Sequence, residues 1–172
     1  MNNTGFLARI RNGRGGIAGF VGLVGLPLVV GGTSALLTAD AMAQFGRLAQ
    51  PPLSPPAWLF PVAWTVLYVL MGLASYRLFV AVPANADAAR ARKFALVAYG
   101  AQLVLNFLWS LVFFGAGLYW VALVVLLTMW ALIIAIVVLS QKVDRAACGL
   151  MVPYLAWTTF AAYLNIGVAV LN

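Results

Sequence analysis

Three short strings set indoles and carboxamides at helical spacing inside otherwise apolar sequence. Trp64, Tyr68 and Gly72 follow one another every fourth residue, with Pro61 just before them on the same face. Gln102, Asn106 and Ser110 repeat the same spacing with Trp109 beside them, and so do Trp157, Ala161 and Asn165, with Tyr154 one turn before Trp157. None of these side chains is an acid, a base or a strong nucleophile. An indole offers a flat apolar face and one N–H, and a carboxamide offers both donors and an acceptor. Gathered in one place they would line a ligand cavity, with aromatic walls and a few polar contacts. The same amides also serve to bond one helix to the next. Under either reading, a buried amide in an apolar medium is costly without a partner. Gln102, Asn106 and Asn165 are therefore expected to face a bundle interior.

Other chemistries are poorly served. The chain has no histidine, which removes the usual haem ligand, zinc ligand and proton shuttle together. Cys148 is the single cysteine, so disulfide scaffolds and multi-cysteine metal sites are excluded. No nucleophile–base pair, metal cluster or cofactor motif accompanies the tryptophans.

The elements that must carry these strings are membrane spans. Apolar run length marks five stretches at Ile17–Leu37, Ala57–Val80, Phe94–Phe114, Leu118–Leu139 and Ala147–Leu171, each near the ~20 residues that cross a bilayer. The chain is 65% hydrophobic and 8% charged, whereas about a quarter of a soluble domain is charged. The expected fold is an all-α membrane protein, a bundle of five transmembrane helices in a single domain over residues 17–172. Residues 1–16 form a basic extension before it. Of the ten Lys and Arg residues, Arg9, Arg11, Arg14, Arg77, Arg90, Arg92, Lys93, Lys142 and Arg145 fall on one side of this threading, and Arg47 alone on the other. Basic residues are retained on the cytoplasmic side, which puts the N-terminus inside, the C-terminus outside and the loop at residues 38–56 outside. The net charge of +7 thus reflects topology, and no nucleic-acid partner is expected. Helical spans favour a bacterial inner membrane over an outer one rich in β-barrels.

Local signals refine the outline. The basic start and Ala41-Met42-Ala43 resemble a signal peptide and its cleavage site, but the first apolar run exceeds the ~7–15 residues of a signal core and reads as a span. Gly16, Gly19, Gly22 and Gly25 recur every third residue there and predict close approach of a neighbouring helix. The outer loop ends Gln50-Pro51-Pro52-Leu53-Ser54-Pro55-Pro56-Ala57-Trp58. Its prolines hold it extended, Ser54 is expected to cap the second span with Pro55 at the first helical position, and Pro61 to bend that span. A loop this long is usually a lid or disordered. Trp58, Tyr119 and Trp120 sit at span ends and read as interfacial anchors, while Trp130 is expected to face helix neighbours or lipid. At ~1.5 Å per residue, Trp64, Asn106 and Asn165 lie roughly 9–12 Å below the outer helix ends, at a common level beneath the loop.

These strings match a family pattern. Pro55-Pro56-Ala57-Trp58 with Trp64, Tyr68 and Gly72 resembles the second-helix signature of the TspO/MBR family, the tryptophan-rich sensory proteins and translocator proteins. Gln102-Leu103-Val104-Leu105-Asn106-Phe107-Leu108-Trp109 with Phe113-Phe114-Gly115 is similar to its third-helix motif. Val152-Pro153-Tyr154-Leu155-Ala156-Trp157 with Phe160-Ala161 and Leu164-Asn165 is similar to its fifth. The resemblance covers about Phe45 to Asn165. It implies a five-helix bundle, commonly a homodimer, that binds porphyrins and other hydrophobic small molecules beneath the first loop without a required cofactor. It implies Trp64, Asn106 and Trp157 as pocket contacts and Tyr68, Phe113, Ala161, Pro55 and Pro56 as wall. A porphyrin needs flat walls and donors for its propionates. Indoles, Trp109 and Tyr154 among the aromatic neighbours, supply the first, and Asn106, Asn165 and the indole N–H groups the second. Arg47, the sole outer cation, is a candidate partner for a propionate, or else a solvated loop charge.

The chain departs from the family pattern in places. Leu53 stands where the family usually has tryptophan, and the earlier aromatic pair of the loop is reduced to Gln44-Phe45. The animal members' cholesterol motif needs a tyrosine and a basic residue near the C-terminus. Neither follows Leu164, so cholesterol recognition is unsupported. Three function classes follow. The first is a tetrapyrrole-binding sensory or regulatory protein. The second is a porphyrin transporter, against which no span carries an acid or histidine to couple protons. The third is an enzyme of light-dependent protoporphyrin breakdown, a role the resemblance ties to the pair matching Trp64 and Trp157.

Overall fold

The computed structural model describes residues 15–40 and 47–172. The signal-like Ala41-Met42-Ala43, Gln44-Phe45 and the basic residues Arg9, Arg11 and Arg14 lie outside the described residues. Five helices cross the bundle: α1 Gly16–Leu37, α2 Leu59–Val80, α3 Ala86–Ser110, α4 Tyr119–Gln141 and α5 Arg145–Leu171. Each is long and apolar enough to span a membrane, as the run lengths predict. The protein is an all-α integral multi-pass membrane protein. The closest pairings join α1 to α2, α2 to α5, α5 to α4 and α4 to α3, while α3 meets α1 and α2 more sparingly and completes a ring.

Polar groups fasten one end of the ring. Arg77 on α2 donates from Nη2 to Asp144 Oδ2 at 2.9 Å and from Nε to Oδ1 at 3.3 Å. Asp144 also accepts from the backbone N–H groups of Ala146 and Ala147, capping α5. Asn85 caps α3 by accepting from the N–H of Ala88, and Arg92 donates to the carbonyl of Ala81. These caps explain why α3 starts at Ala86 rather than at the expected Phe94. Its first two turns carry Asp87, Arg90, Arg92 and Lys93, a charged prolongation of the helix that an apolar-run criterion excludes.

The opposite end carries the loop, and here three expectations fail. Ser54 does not cap α2. Its hydroxyl turns back to the carbonyl of Pro51 at 2.8 Å, and α2 begins only at Leu59, whose N–H bonds the carbonyl of Pro56. Pro55 therefore lies outside the helix. Pro61 falls in the first turn of α2, where its missing N–H has no intrahelical partner to lose, so it helps start the helix instead of bending it. Pro51 to Ser54 form a turn closed by the Ser54 N–H and the Pro51 carbonyl, with Pro52 and Leu53 central. Leu53 sits at φ 65°, the left-handed position that such a turn reserves for glycine.

The glycine ladder of α1 is the next correction. Among the described residues, a Cβ built on Gly16, Gly19, Gly22 or Gly25 would meet nothing within 4 Å, so no described helix of the same chain is seated on them. Close approach occurs further on. A Cβ on Gly31 would run into the ring of Tyr68, and one on Gly72 would lie 2.6 Å from the Cα of Val24 and 3.1 Å from the carbonyl of Leu23. Pro27, inside α1, has no N–H to offer that Leu23 carbonyl. Glycine on α2 and proline on α1 thus let the two backbones nearly touch. The spacing of three was visible in sequence, but a helix surface at that spacing drifts, and the contact line runs elsewhere.

Two outcomes follow. Gly72→Ala should lower stability by about 1–3 kcal/mol, since backbone rather than a flexible side chain blocks the added methyl. Thermal unfolding of the detergent-solubilised protein, followed by circular dichroism, checks this. In the same assay Leu53→Gly should raise stability by about 0.5–1 kcal/mol, because it removes a left-handed non-glycine residue from an exposed turn.

Candidate functional site

The sequence strings converge toward the loop end of the ring. Asn106 on α3 is fully buried and accepts from Tyr68 Oη of α2 at 2.9 Å. Its Nδ2 donates to Tyr154 Oη of α5 at 3.1 Å, and Tyr154 donates to Gln102 Oε1 at 2.9 Å. One string of polar groups therefore ties α2, α3 and α5 in the bundle interior. Higher up, Trp109 Nε1 donates to Asn165 Oδ1 at 3.2 Å, and Asn165 Nδ2 donates to the carbonyl of Tyr119 at 2.9 Å, joining α3, α5 and the start of α4. The three amides face inward as the cost of burial requires. Their polar atoms are engaged mainly with protein, which is the helix-bonding alternative of the sequence reading. Asn106 and Asn165 thus bond helix to helix in this structure.

The aromatic rings pile onto this framework. Trp64 stacks on Tyr68 with centroids 5.5 Å apart, and reaches Trp109 at 6.0 Å and Tyr154 at 6.2 Å. Trp109 stacks on Phe113 at 5.3 Å, and Phe113 meets Tyr119 at 5.2 Å. Beyond Ser110 the backbone of α3 widens into a π turn over Leu111–Gly115, closed by the Ala116 N–H on the Leu111 carbonyl at 2.9 Å. Phe113 and Phe114, consecutive in sequence, both reach Trp109, at 5.3 and 5.9 Å.

Two clefts open among these rings. One, about 90 Å³, lies between Gly31 and Ser34 of α1, its C-cap Thr38, and Trp64, Tyr68 and Trp109. The other, about 20 Å³, lies between Trp157, Ala161 and Asn165 of α5 and Phe113, with Trp64 again on its wall. Phe60, Trp64, Trp109 and Phe114 line both, so four rings form the partition. Drug-sized ligands occupy ~300–1,000 Å³. The two clefts are smaller than such a ligand, and the four shared rings separate them.

The fate of each candidate is specific. Trp64, Tyr68, Asn106, Trp109, Phe113, Tyr154, Trp157, Ala161 and Asn165 all lie in or directly beneath this chamber. Trp157 stands somewhat apart, meeting Phe60 at 6.2 Å and Phe160 at 6.0 Å, and its buried Nε1 has no hydrogen-bond partner among the described residues. Arg47, Pro55 and Pro56 are on the loop and line neither cleft, and Arg47 is exposed. Trp58 and Trp120 are 65% and 58% exposed, as anchors at span ends should be. Trp130 bonds Thr159 of α5 at 2.8 Å. Sequence reasoning missed Phe60, Phe114 and the whole α1 wall. Gly31, Ser34, Ala35 and Thr38 follow the 3–4 spacing of one helix face, a small and polar stripe that marked the wall in plain view.

The loop is latched over α5. Tyr163 Oη donates to the carbonyl of Pro52 at 2.7 Å, and the Asn172 side chain holds Ala49, accepting from its N–H at 3.0 Å and donating to its carbonyl at 3.1 Å. Pro51 fills the space that a Cβ on Gly167 would need.

Known proteins share this arrangement of sequence. The TspO/MBR family model matches residues 23–171. The tryptophan-rich sensory protein of Cereibacter sphaeroides is 39% identical over 153 residues, which is 89% of this chain and 89% of that protein. The tryptophan-rich protein TspO of Chlorobaculum tepidum is 34% identical over 87% of this chain and 92% of its own length. The translocator protein of Ovis aries is 36% identical over 75% of each. A family match over nearly the whole bundle, on a ring of five helices with the signature indoles turned toward one chamber, has a plain consequence: this chain is a member of the TspO/MBR family.

Proposed function

We propose that this chain is a membrane sensor or regulator that binds a flat hydrophobic ligand of the porphyrin type in the chamber beneath the loop. The observation that carries this reading is the pair of adjoining clefts walled by Trp64, Trp109, Phe113, Phe114 and Trp157, with a partition of four rings between them. Indole and phenyl faces supply contact for a planar guest, and the unpartnered Trp157 Nε1 supplies a donor. The Tyr68–Asn106–Tyr154–Gln102 string keeps the walls in place while the rings above it shift. Homodimer assembly is part of the proposal. The outward Gly19, Gly22 and Gly25 give α1 a face that a second helix can approach closely. A bacterial inner membrane is the proposed location. The translocator name of relatives supports passage of such a ligand as a second reading.

Tryptophan emission of the purified protein titrated with protoporphyrin IX tests the reading. Saturable quenching is expected, and Trp157→Phe should weaken the affinity about 5- to 30-fold through loss of a donor and of indole contact, about 1–2 kcal/mol. Quenching that never saturates, or that is indifferent to Trp157→Phe, counts against it. Loss of porphyrin absorbance only under illumination, abolished by Trp64→Phe, would instead select degradation, and uptake into sealed vesicles would select transport. The framework role of Asn106 has its own measurement. Asn106→Ala should destabilise the ligand-free protein by about 1–3 kcal/mol, since the hydroxyls of Tyr68 and Tyr154 lose partners in a dry interior. An unchanged unfolding midpoint would show that the amide is not holding the helices.

A further inference from the structure

On the lipid-facing side of the bundle, α2 and α5 diverge around an apolar groove of about 540 Å³. Its walls are Ala63, Val66 and Leu70 of α2 and Pro153, Ala156 and Trp157 of α5. Trp157 also lines the inner cleft beside Ala161 and Asn165. A single indole therefore stands between the outside groove and the chamber, and among the described residues no other lines both. The geometry points to Trp157 as a swinging gate through which a flat apolar guest passes sideways from the acyl-chain layer into the chamber.

Three further features support a lateral route. Among the described residues no hydrogen bond fixes the indole, because Trp157 Nε1 is buried and unpartnered, and its ring neighbours Phe60 and Phe160 meet it only edge-on. Pro153, one turn before it, has no N–H for the carbonyl of Gly149, so α5 is loosened at the foot of the groove. The described part of the loop is held against α5 by the Tyr163–Pro52 and Asn172–Ala49 bonds and by Pro51 seated on Gly167. A guest already dissolved in the bilayer meets fewer bonds to break at the groove than at the latch.

This inference rests on the proposed binding of a porphyrin-type ligand, and kinetics separate the two. The probe is protoporphyrin IX, delivered from preloaded phospholipid vesicles to the protein in nanodiscs, with quenching of tryptophan emission read over time. Ala156 is exposed in the groove and lines neither inner cleft. Ala156→Phe should slow association at least fivefold while Kd changes less than twofold, because a blocked passage raises the barrier in both directions equally. Ala63→Leu, the smaller obstruction on the facing helix, should slow it in the same sense. Tyr163→Phe, which removes one of the bonds that hold the loop to α5, should leave the rate within twofold of wild type. Unchanged association in Ala156→Phe and Ala63→Leu overturns the gate, as does faster association in Tyr163→Phe. Slower association accompanied by a Kd change above twofold also overturns it, since the groove would then be part of the site. A wild-type protein that does not quench at all removes the binding reading itself.

Discussion

A hydrogen-bonded string in a dry interior is the constraint on which the remaining architecture depends. Tyr68, Asn106, Tyr154 and Gln102 come from three helices and are joined by hydrogen bonds through the Tyr68 and Tyr154 hydroxyls, the Asn106 amide and Gln102 Oε1. Lipid provides little driving force between apolar helices, because a leucine is as comfortable against an acyl chain as against another leucine. What aligns α2, α3 and α5 in depth and rotation is therefore the need to satisfy these groups, assisted by the backbone contact at Gly72. With that depth fixed, Trp64, Trp109 and Trp157 are brought to the same end of the bundle. The aromatic chamber is a product of the polar string below it.

The spans and the identity of the inward-facing groups were legible in the sequence because each rests on a steep free-energy term. An apolar run of span length has few alternatives to crossing a bilayer, and a carboxamide in hydrocarbon must find a partner. Gln102, Asn106 and Asn165 were bound to turn inward. Whether they would meet protein or ligand was not legible, since both partners satisfy an amide equally. In the structure tyrosine hydroxyls, an indole N–H and a backbone carbonyl bond Asn106 and Asn165.

Errors gathered where competing local solutions differ by little. Ser54 can cap a helix or close its own turn, and it does the latter. Proline is permitted at several positions in a first turn, so Pro55 and Pro61 could not by themselves date the start of α2. Glycine spacing in α1 announced a close contact without saying with what, and the residues that touch are Gly31 and Gly72. In each case the sequence narrowed the options and the tertiary neighbour chose among them. The α1 wall of the chamber was overlooked for a different reason. Small residues attract notice as backbone contacts, and here Gly31, Ser34, Ala35 and Thr38 serve as cavity lining.

The π turn at Leu111–Gly115 has a consequence for how this chamber can vary. Five residues share a turn that an α-helix closes with four, so the segment holds one residue more than the regular geometry accommodates. That surplus is what turns Phe114 as well as Phe113 toward Trp109. Excising a single residue there would restore regular winding, remove the wide turn that carries the surplus, and break the joint approach of Phe113 and Phe114 to Trp109. Length polymorphism at this point would thus recompose the ceiling of the chamber while leaving the polar tier beneath it intact, a way for sequences of this kind to change guests without surrendering the bundle.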